Sequence, residues 1–191
     1  MSPSVSQSAV VRNRALEYGL NAAMIAGASL LVAACARIYI PVPGTPVPLT
    51  VQNFAVLLVG LALGPWRGFA ALLLYLVEGA SGLPAFSPTG PGGIAQLIGP
   101  TGGYLMAYPF VAALTGYIFA RGKQSFPGAA LASTAGEVLL FACGLGWLYI
   151  LTHSLRQAMA LGLYWFILAE VLKVMFAAGA VQTWYRLFPR E

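Results

Sequence analysis

The stretch from Tyr18 to Pro48, YGLNAAMIAGASLLVAACARIYIPVPGTPVP, decides the fold class. Its first part, Tyr18 to Ile40, carries a single charge, Arg37. A helix needs about 20 apolar residues to cross a bilayer core of roughly 30 Å, and this run supplies them. Pro41, Pro43, Pro46 and Pro48 follow, and a segment so rich in proline cannot continue a helix.

The same alternation of apolar run and Gly/Pro break recurs along the chain. It predicts spans at about 18–40, 49–63, 67–80, 104–120, 129–151 and 158–184. The second and third runs are short and are divided by Gly64-Pro65-Trp66-Arg67-Gly68. A re-entrant hairpin over Val51–Ala80 is the alternative there. Composition agrees with a membrane chain: of 191 residues, 59% are hydrophobic and only 8% charged, with a mean hydropathy of +0.80. A soluble domain carries roughly a quarter of its residues charged, so soluble enzymes and nucleic-acid-binding modules are excluded. The expectation is an all-α integral membrane protein, a six-helix bundle forming a single domain over residues 1–191. Helices are required because an open sheet cannot satisfy its backbone in lipid.

The net charge of +5 then becomes a question of sidedness. With six spans both termini share a side. That side holds Arg12, Arg14, Arg67, Arg121, Lys123, Arg186 and Arg190, while the other holds Arg37 and Arg156. The bias predicts cytoplasmic termini, with residues 1–17 as a polar cytoplasmic tail. Two Gly/Pro-rich loops, 41–48 and 79–103, then face outward over one possible cavity. The second has twelve Gly or Pro among its 25 residues, yet carries Leu83, Phe86, Ile94, Leu97 and Ile98 between its turns. Long loops that bury their own side chains are commonly binding loops or lids.

Ionisable groups inside spans are costly and mark function or a structural pair. Glu170 and Lys173 sit three residues apart in an apolar stretch, so they share a helix face and can pair. They serve either as a structural ion pair or as an acceptor and donor for a polar ligand group. Glu137 lies near the start of the fifth span, as a ligand group or a helix-to-helix bond; Glu78, at a span end, reads as interfacial. Cys35 and Cys143 lie in apolar runs without CxxC spacing, so no metal or redox pair is suggested. The chain has no P-loop and no aspartate, so ATP-driven work would need partner proteins. Gly79-Ala80-Ser81-Gly82 matches the GxSG motif of rhomboid intramembrane proteases, but the only histidine, His153, belongs to an outer helix end remote from it. In the first span, Ala22/Ala26 and Ala23/Gly27 are small-xxx-small pairs that admit another helix closely, within this bundle or from a partner.

The segment Ile40-Pro41-Val42-Pro43 to Val47-Pro48-Leu49-Thr50-Val51-Gln52-Asn53 resembles BioY proteins, the biotin-binding S components of energy-coupling factor (ECF) transporters. So do Gly60–Pro65, Gly82–Phe86 and, most of all, Leu97-Ile98-Gly99-Pro100-Thr101-Gly102-Gly103-Tyr104-Leu105. Glu170-x-x-Lys173 is similar to the family's acidic-x-x-Lys pair, where Asp is usual. The resemblance spans about residues 18–180. It implies a substrate-binding membrane subunit for biotin uptake, not an enzyme, with no cofactor. It also implies a transmembrane coupling protein and two ATPase subunits as partners, and the lipid bilayer of a prokaryotic plasma membrane as the setting. Glu170 and Lys173 are the implied biotin contacts, with Gln52, Tyr104 and Glu137 as further candidates. The family's polar Gly-loop contact falls near Pro91 here, and backbone groups, Thr89 or Gln96 can take its place. Ala22, Ala23, Ala26 and Gly27 are the implied docking surface for the coupling protein. A self-contained carrier or channel is the other reading, and association with further copies of the chain stays open.

Overall fold

The computed structural model describes residues 3–187, which are nearly all helical. Arg190, counted above among the cytoplasmic basic residues, lies outside them. The elements in order are α1 (Pro3–Cys35), β1 (Tyr39–Ile40), β2 (Leu49–Thr50), α2 (Gln52–Ala80), α3 (Gly93–Ile98), α4 (Gly102–Arg121), α5 (Phe126–Thr152), α6 (Leu155–Gly162) and α7 (Ile167–Leu187). Five of these helices, α1, α2, α4, α5 and α7, are long and apolar enough to cross a membrane. Large apolar side chains such as Leu131, Val138, Leu168 and Phe176 lie exposed on their outer faces. That surface suits lipid and not water.

The polar N-terminal segment is helical, since α1 starts at Pro3 and runs on without a break. Two span boundaries are corrected. The first span ends at Cys35 instead of Ile40: Tyr39 and Ile40 pair antiparallel with Thr50 and Leu49, closing the Pro-rich segment into a hairpin. Pro41 favours extended backbone in the residue before it, and so supports that strand. The runs 49–63 and 67–80 are the two limbs of α2, joined as expected at the Gly-Pro turn, where Gly64 is the one non-helical residue, at φ +78°. The run 158–184 is divided. Ser154 caps α6 through a bond from Gln157 N to its Oγ, 3.4 Å. The chain then leaves helix after Gly162 and enters α7 at Ile167. Helix α6 is amphipathic, with Ala158 and Gly162 buried and Leu155, Arg156 and Gln157 exposed, and hydropathy alone does not separate it from a span.

Helix α2 reverses direction at Gly64. Gln52 Nε2 donates to Tyr75 Oη at 2.7 Å, although 23 residues separate them. In a straight helix they would be about 35 Å apart. A Cβ on Gly68 would touch Gly60 Cα at 3.5 Å, so the two limbs lie side by side. Only glycine takes the left-handed turn at Gly64 without strain, and Pro65 starts the second limb. The folded α2 packs on α4 to form the centre of the bundle. A Cβ at Gly116 of α4 would strike Gly64 C at 2.6 Å and Pro65 N at 2.8 Å, so that residue holds the reversal by close backbone approach. Helix α5 stacks on α4, α7 closes against α5 and α2, and α1 packs mainly on α2.

The connections therefore sort to two ends. The Gly64 turn and the segment around Gln124 share one end, since Gly64, Arg67, Gly116 and Gln124 line a common recess. The β-hairpin, the 81–101 loop and α6 gather at the other.

Candidate ligand site

At that second end the helices part around a narrow, partly open recess with a cavity volume of about 50 Å³. Val47, Pro48 and Thr50 of the hairpin roof it, together with Ser87, Gln96 and Gly162. Tyr104, Leu105 and Tyr108 of α4, Phe141 of α5 and Phe166 form largely aromatic walls. Gln52 and Asn53 enter from α2, and Glu170 and Lys173 from α7. This mostly apolar cavity with a few converging polar groups has the form of a small-molecule site.

The expected pair is formed. Lys173 Nζ donates to Glu170 Oε1 at 2.7 Å, and the side chains are 12% and 6% exposed. Their i, i+3 placement puts both on the cavity side of α7. Asn53 Nδ2 also donates to Glu170 Oε1, at 3.3 Å, and Tyr108 Oη donates to Asn53 Oδ1 at 2.7 Å. The result is one chain of hydrogen bonds, Tyr108–Asn53–Glu170–Lys173, drawn from three helices. Asn53 and Tyr108 were missed as site residues. Asn53 had a visible signal, an amide inside an apolar run beside Gln52, whereas Tyr108 looked like any span aromatic.

The other expected residues divide by position. Gln52, Gln96 and Tyr104 line the cavity, each already bonded within the protein. Gln52 holds Tyr75, and Tyr104 Oη donates to Gly162 O at 2.9 Å, tying α6 to α4. Gln96 accepts from Gly92 N at 3.1 Å and donates to Ser87 O at 3.3 Å, so it organises the long loop from inside. Thr89 is exposed and does not reach the cavity; Ser87, two residues earlier, takes that place and bonds Thr89 at 3.1 Å. Glu137 stands behind Glu170 in a groove between α5 and α7 and not in the main recess.

The covering segments are held by specific contacts. Phe86 fills the space a Cβ would need at Gly79 and meets Tyr75 edge-on, 5.4 Å between centroids. Trp147 Nε1 donates to Gly99 O at 2.9 Å, fixing the start of the α4 turn. Thr45 Oγ1 donates to Leu161 O, joining hairpin to α6. Glu78 is bound across helices by Ser29 Oγ of α1, so its role is packing and not only interfacial. Ser81 of the GxSG stretch donates to its own helix end at Glu78 O, 2.7 Å, and His153 is the left-handed C-cap of α5. These roles leave no serine–histidine pair among the described residues. The small-residue set Ala22, Ala23, Ala26 and Gly27 is exposed, and a Cβ at Gly27 would meet nothing within 4 Å.

Comparison with known proteins agrees with this architecture. A probable biotin transporter BioY of Pyrococcus horikoshii is 39% identical over 132 residues, 69% of this chain and 76% of that protein. The biotin transporter BioY of Thermotoga maritima is 36% identical over 140 residues, 73% of this chain and 82% of that protein. The fold is similar to a solved structure, described as the S-component for biotin from an ECF-type ABC transporter. Its TM-score is 0.81 at 22% identity, covering 89% of this chain and 93% of that one. Residues 8–190 match the BioY family, and the chain belongs to it.

Proposed function

We propose that this chain is the substrate-binding membrane subunit of a biotin importer, working with a transmembrane coupling protein and two ATPase subunits. The observation that carries the reading is the recess that joins aromatic walls to the Asn53–Glu170–Lys173 bond chain. Biotin has an apolar bicycle, a ureido group with two N–H donors and one carbonyl, and a carboxylate tail. Phe141, Phe166, Tyr104 and Tyr108 suit the bicycle. Glu170 accepts ureido N–H groups, and Asn53 and Lys173 supply donors to the ureido oxygen or the tail. Such charge-assisted bonds are strong where water is excluded. Membership of the BioY family and the names of the relatives support biotin as the ligand. Purification in mild detergent followed by mass spectrometry of the denatured sample tests this: biotin is released in near-stoichiometric amount. A protein that emerges folded and empty, and that fails to bind added biotin, overturns it.

The two limbs of α2 each cross the membrane in this reading, which makes six crossings and places both termini in the cytoplasm of a prokaryotic cell. The sorting of Arg67 and Arg121 to the end opposite the recess supports that orientation. In a variant lacking Cys35 and Cys143, an impermeant thiol reagent applied outside intact cells should label Thr89→Cys. It should label Gln124→Cys only after permeabilisation. The reverse pattern inverts the topology and closes the recess to the outside.

A further inference from the structure

An apolar groove opens on the outer surface between the second limb of α2 and α4. Pro65, Trp66 and Phe69 form one wall, and Ala113, Leu114 and Tyr117 form the other. The groove has a direction. The second limb of α2 starts at the Gly64 turn just where α4 ends, so Trp66 and Tyr117 stand at the end of the bundle opposite the ligand recess. Phe69 meets Phe110 edge-on, 5.5 Å between centroids, and closes the groove towards the middle of the bundle. At the open end the Arg121 guanidinium lies 4.2 Å from the centre of the Tyr117 ring, and this cation–π contact holds it at the rim. Trp66 is 83% exposed, more than any other large apolar side chain among the described residues. Tryptophan and tyrosine so placed sit at the headgroup level of a bilayer. Arg67, Arg121 and Lys123 are all exposed at this end, and residues 60–70 and 113–128 contain no Asp or Glu. None of the three cations pairs with a carboxylate among the described residues.

Two other apolar grooves reach the outer surface, and their charges differ. Lys173, in the groove between α2 and α7, is already bonded to Glu170 at 2.7 Å. The groove between α5 and α7 carries Glu137 and Glu170, which do not welcome an anion. Only the α2–α4 groove joins apolar walls to an unpaired cation at its rim.

We propose that the α2–α4 groove binds an anionic phospholipid, with one acyl chain along Phe69, Ala113 and Leu114 and the phosphate at the rim beside Arg121. Lipid chains are as apolar as these walls, so shape decides whether a chain stays. A groove touches the chain on two sides and gives dispersion contacts that a flat helix face does not. Basic side chains at a membrane surface attract anionic headgroups, and the planar fork of arginine suits phosphate. The two walls belong to the elements that meet at the Gly64 reversal, so a lipid seated there also braces that turn. The inference rests on the membrane setting and not on the biotin reading.

Native mass spectrometry of the full-length protein in mild detergent tests this, with titration by dioleoyl phosphatidylglycerol or dioleoyl phosphatidylcholine. The two lipids share their chains and differ in net charge. Wild type should bind phosphatidylglycerol about fivefold more tightly or better. Arg121→Gln should cut that preference to below about twofold, because glutamine donates hydrogen bonds without charge. Trp66→Ala, which removes part of a wall, should weaken both lipids about threefold or more. Arg156→Gln removes an exposed cation at the other end and should change neither. All three side chains are exposed, and thermal unfolding checks that each variant is folded. Equal binding of the two lipids by wild type, a preference that survives Arg121→Gln, or the same loss in Arg156→Gln overturns the site. So does unchanged lipid binding in Trp66→Ala; if that variant instead loses the coupling protein, the groove belongs to a protein partner.

Discussion

Lys173→Met should weaken biotin binding at least tenfold, about 1.4 kcal/mol, in protein that remains folded in detergent. Methionine keeps the length and apolar stem of lysine but removes its charge and its 2.7 Å bond to Glu170. The loss has two parts. The ligand loses a charge-assisted donor, which typically contributes about 1.5–3 kcal/mol. Glu170 also loses its counter-charge in a site where both side chains are largely buried. Breaking one side of a buried pair is more damaging than never having built it. Glu170→Gln should do comparable harm, since it offers the ureido group one acceptor oxygen without charge. Titration calorimetry on each variant, with thermal unfolding as the control for folding, decides the matter. Unchanged affinity in a well-folded Lys173→Met protein would reduce the pair to a helix-packing role.

Ala26→Trp should abolish co-purification with the coupling protein and ATP-dependent biotin uptake, while leaving biotin binding in detergent near wild type. Ala22, Ala23, Ala26 and Gly27 are exposed on α1, which packs mainly on α2. The structure therefore does not use this face to build its own bundle. A face without side-chain bulk lets a partner helix approach closely, and an indole ring there prevents it by sterics alone. The ligand recess lies beyond the other end of α1, past the β-hairpin, so the substitution should not reach it. Unfolding, or loss of biotin binding, in Ala26→Trp would mean that the face supports the bundle after all. Uptake that persists in cells lacking any energising module would favour a self-contained carrier.

Much of the molecule was legible along the chain. The apolar runs, their Pro and Gly punctuation and the scarcity of charge are one-dimensional quantities, and they are enough to specify membrane helices. Glu170 and Lys173 were visible because charge within an apolar run is rare and their spacing defines a face. The small residues of α1 were visible as a pattern, but whether the bundle consumed them was not. Only the tertiary structure decided that, as it decided the break between α6 and α7 and the partnership of Asn53 and Tyr108 with the pair. The reason is physical. In water, a helix's apolar stripe names its buried side. In lipid, the outside of the bundle is as apolar as the inside, so periodicity stops reporting which residues face one another. Hydropathy sums along the chain and carries no direction, so it registers two apolar runs on either side of the Gly64 turn without registering that Gln52 of one meets Tyr75 of the other. Which groups meet is then settled by backbone approach at glycine and by the need of each buried polar atom for a partner.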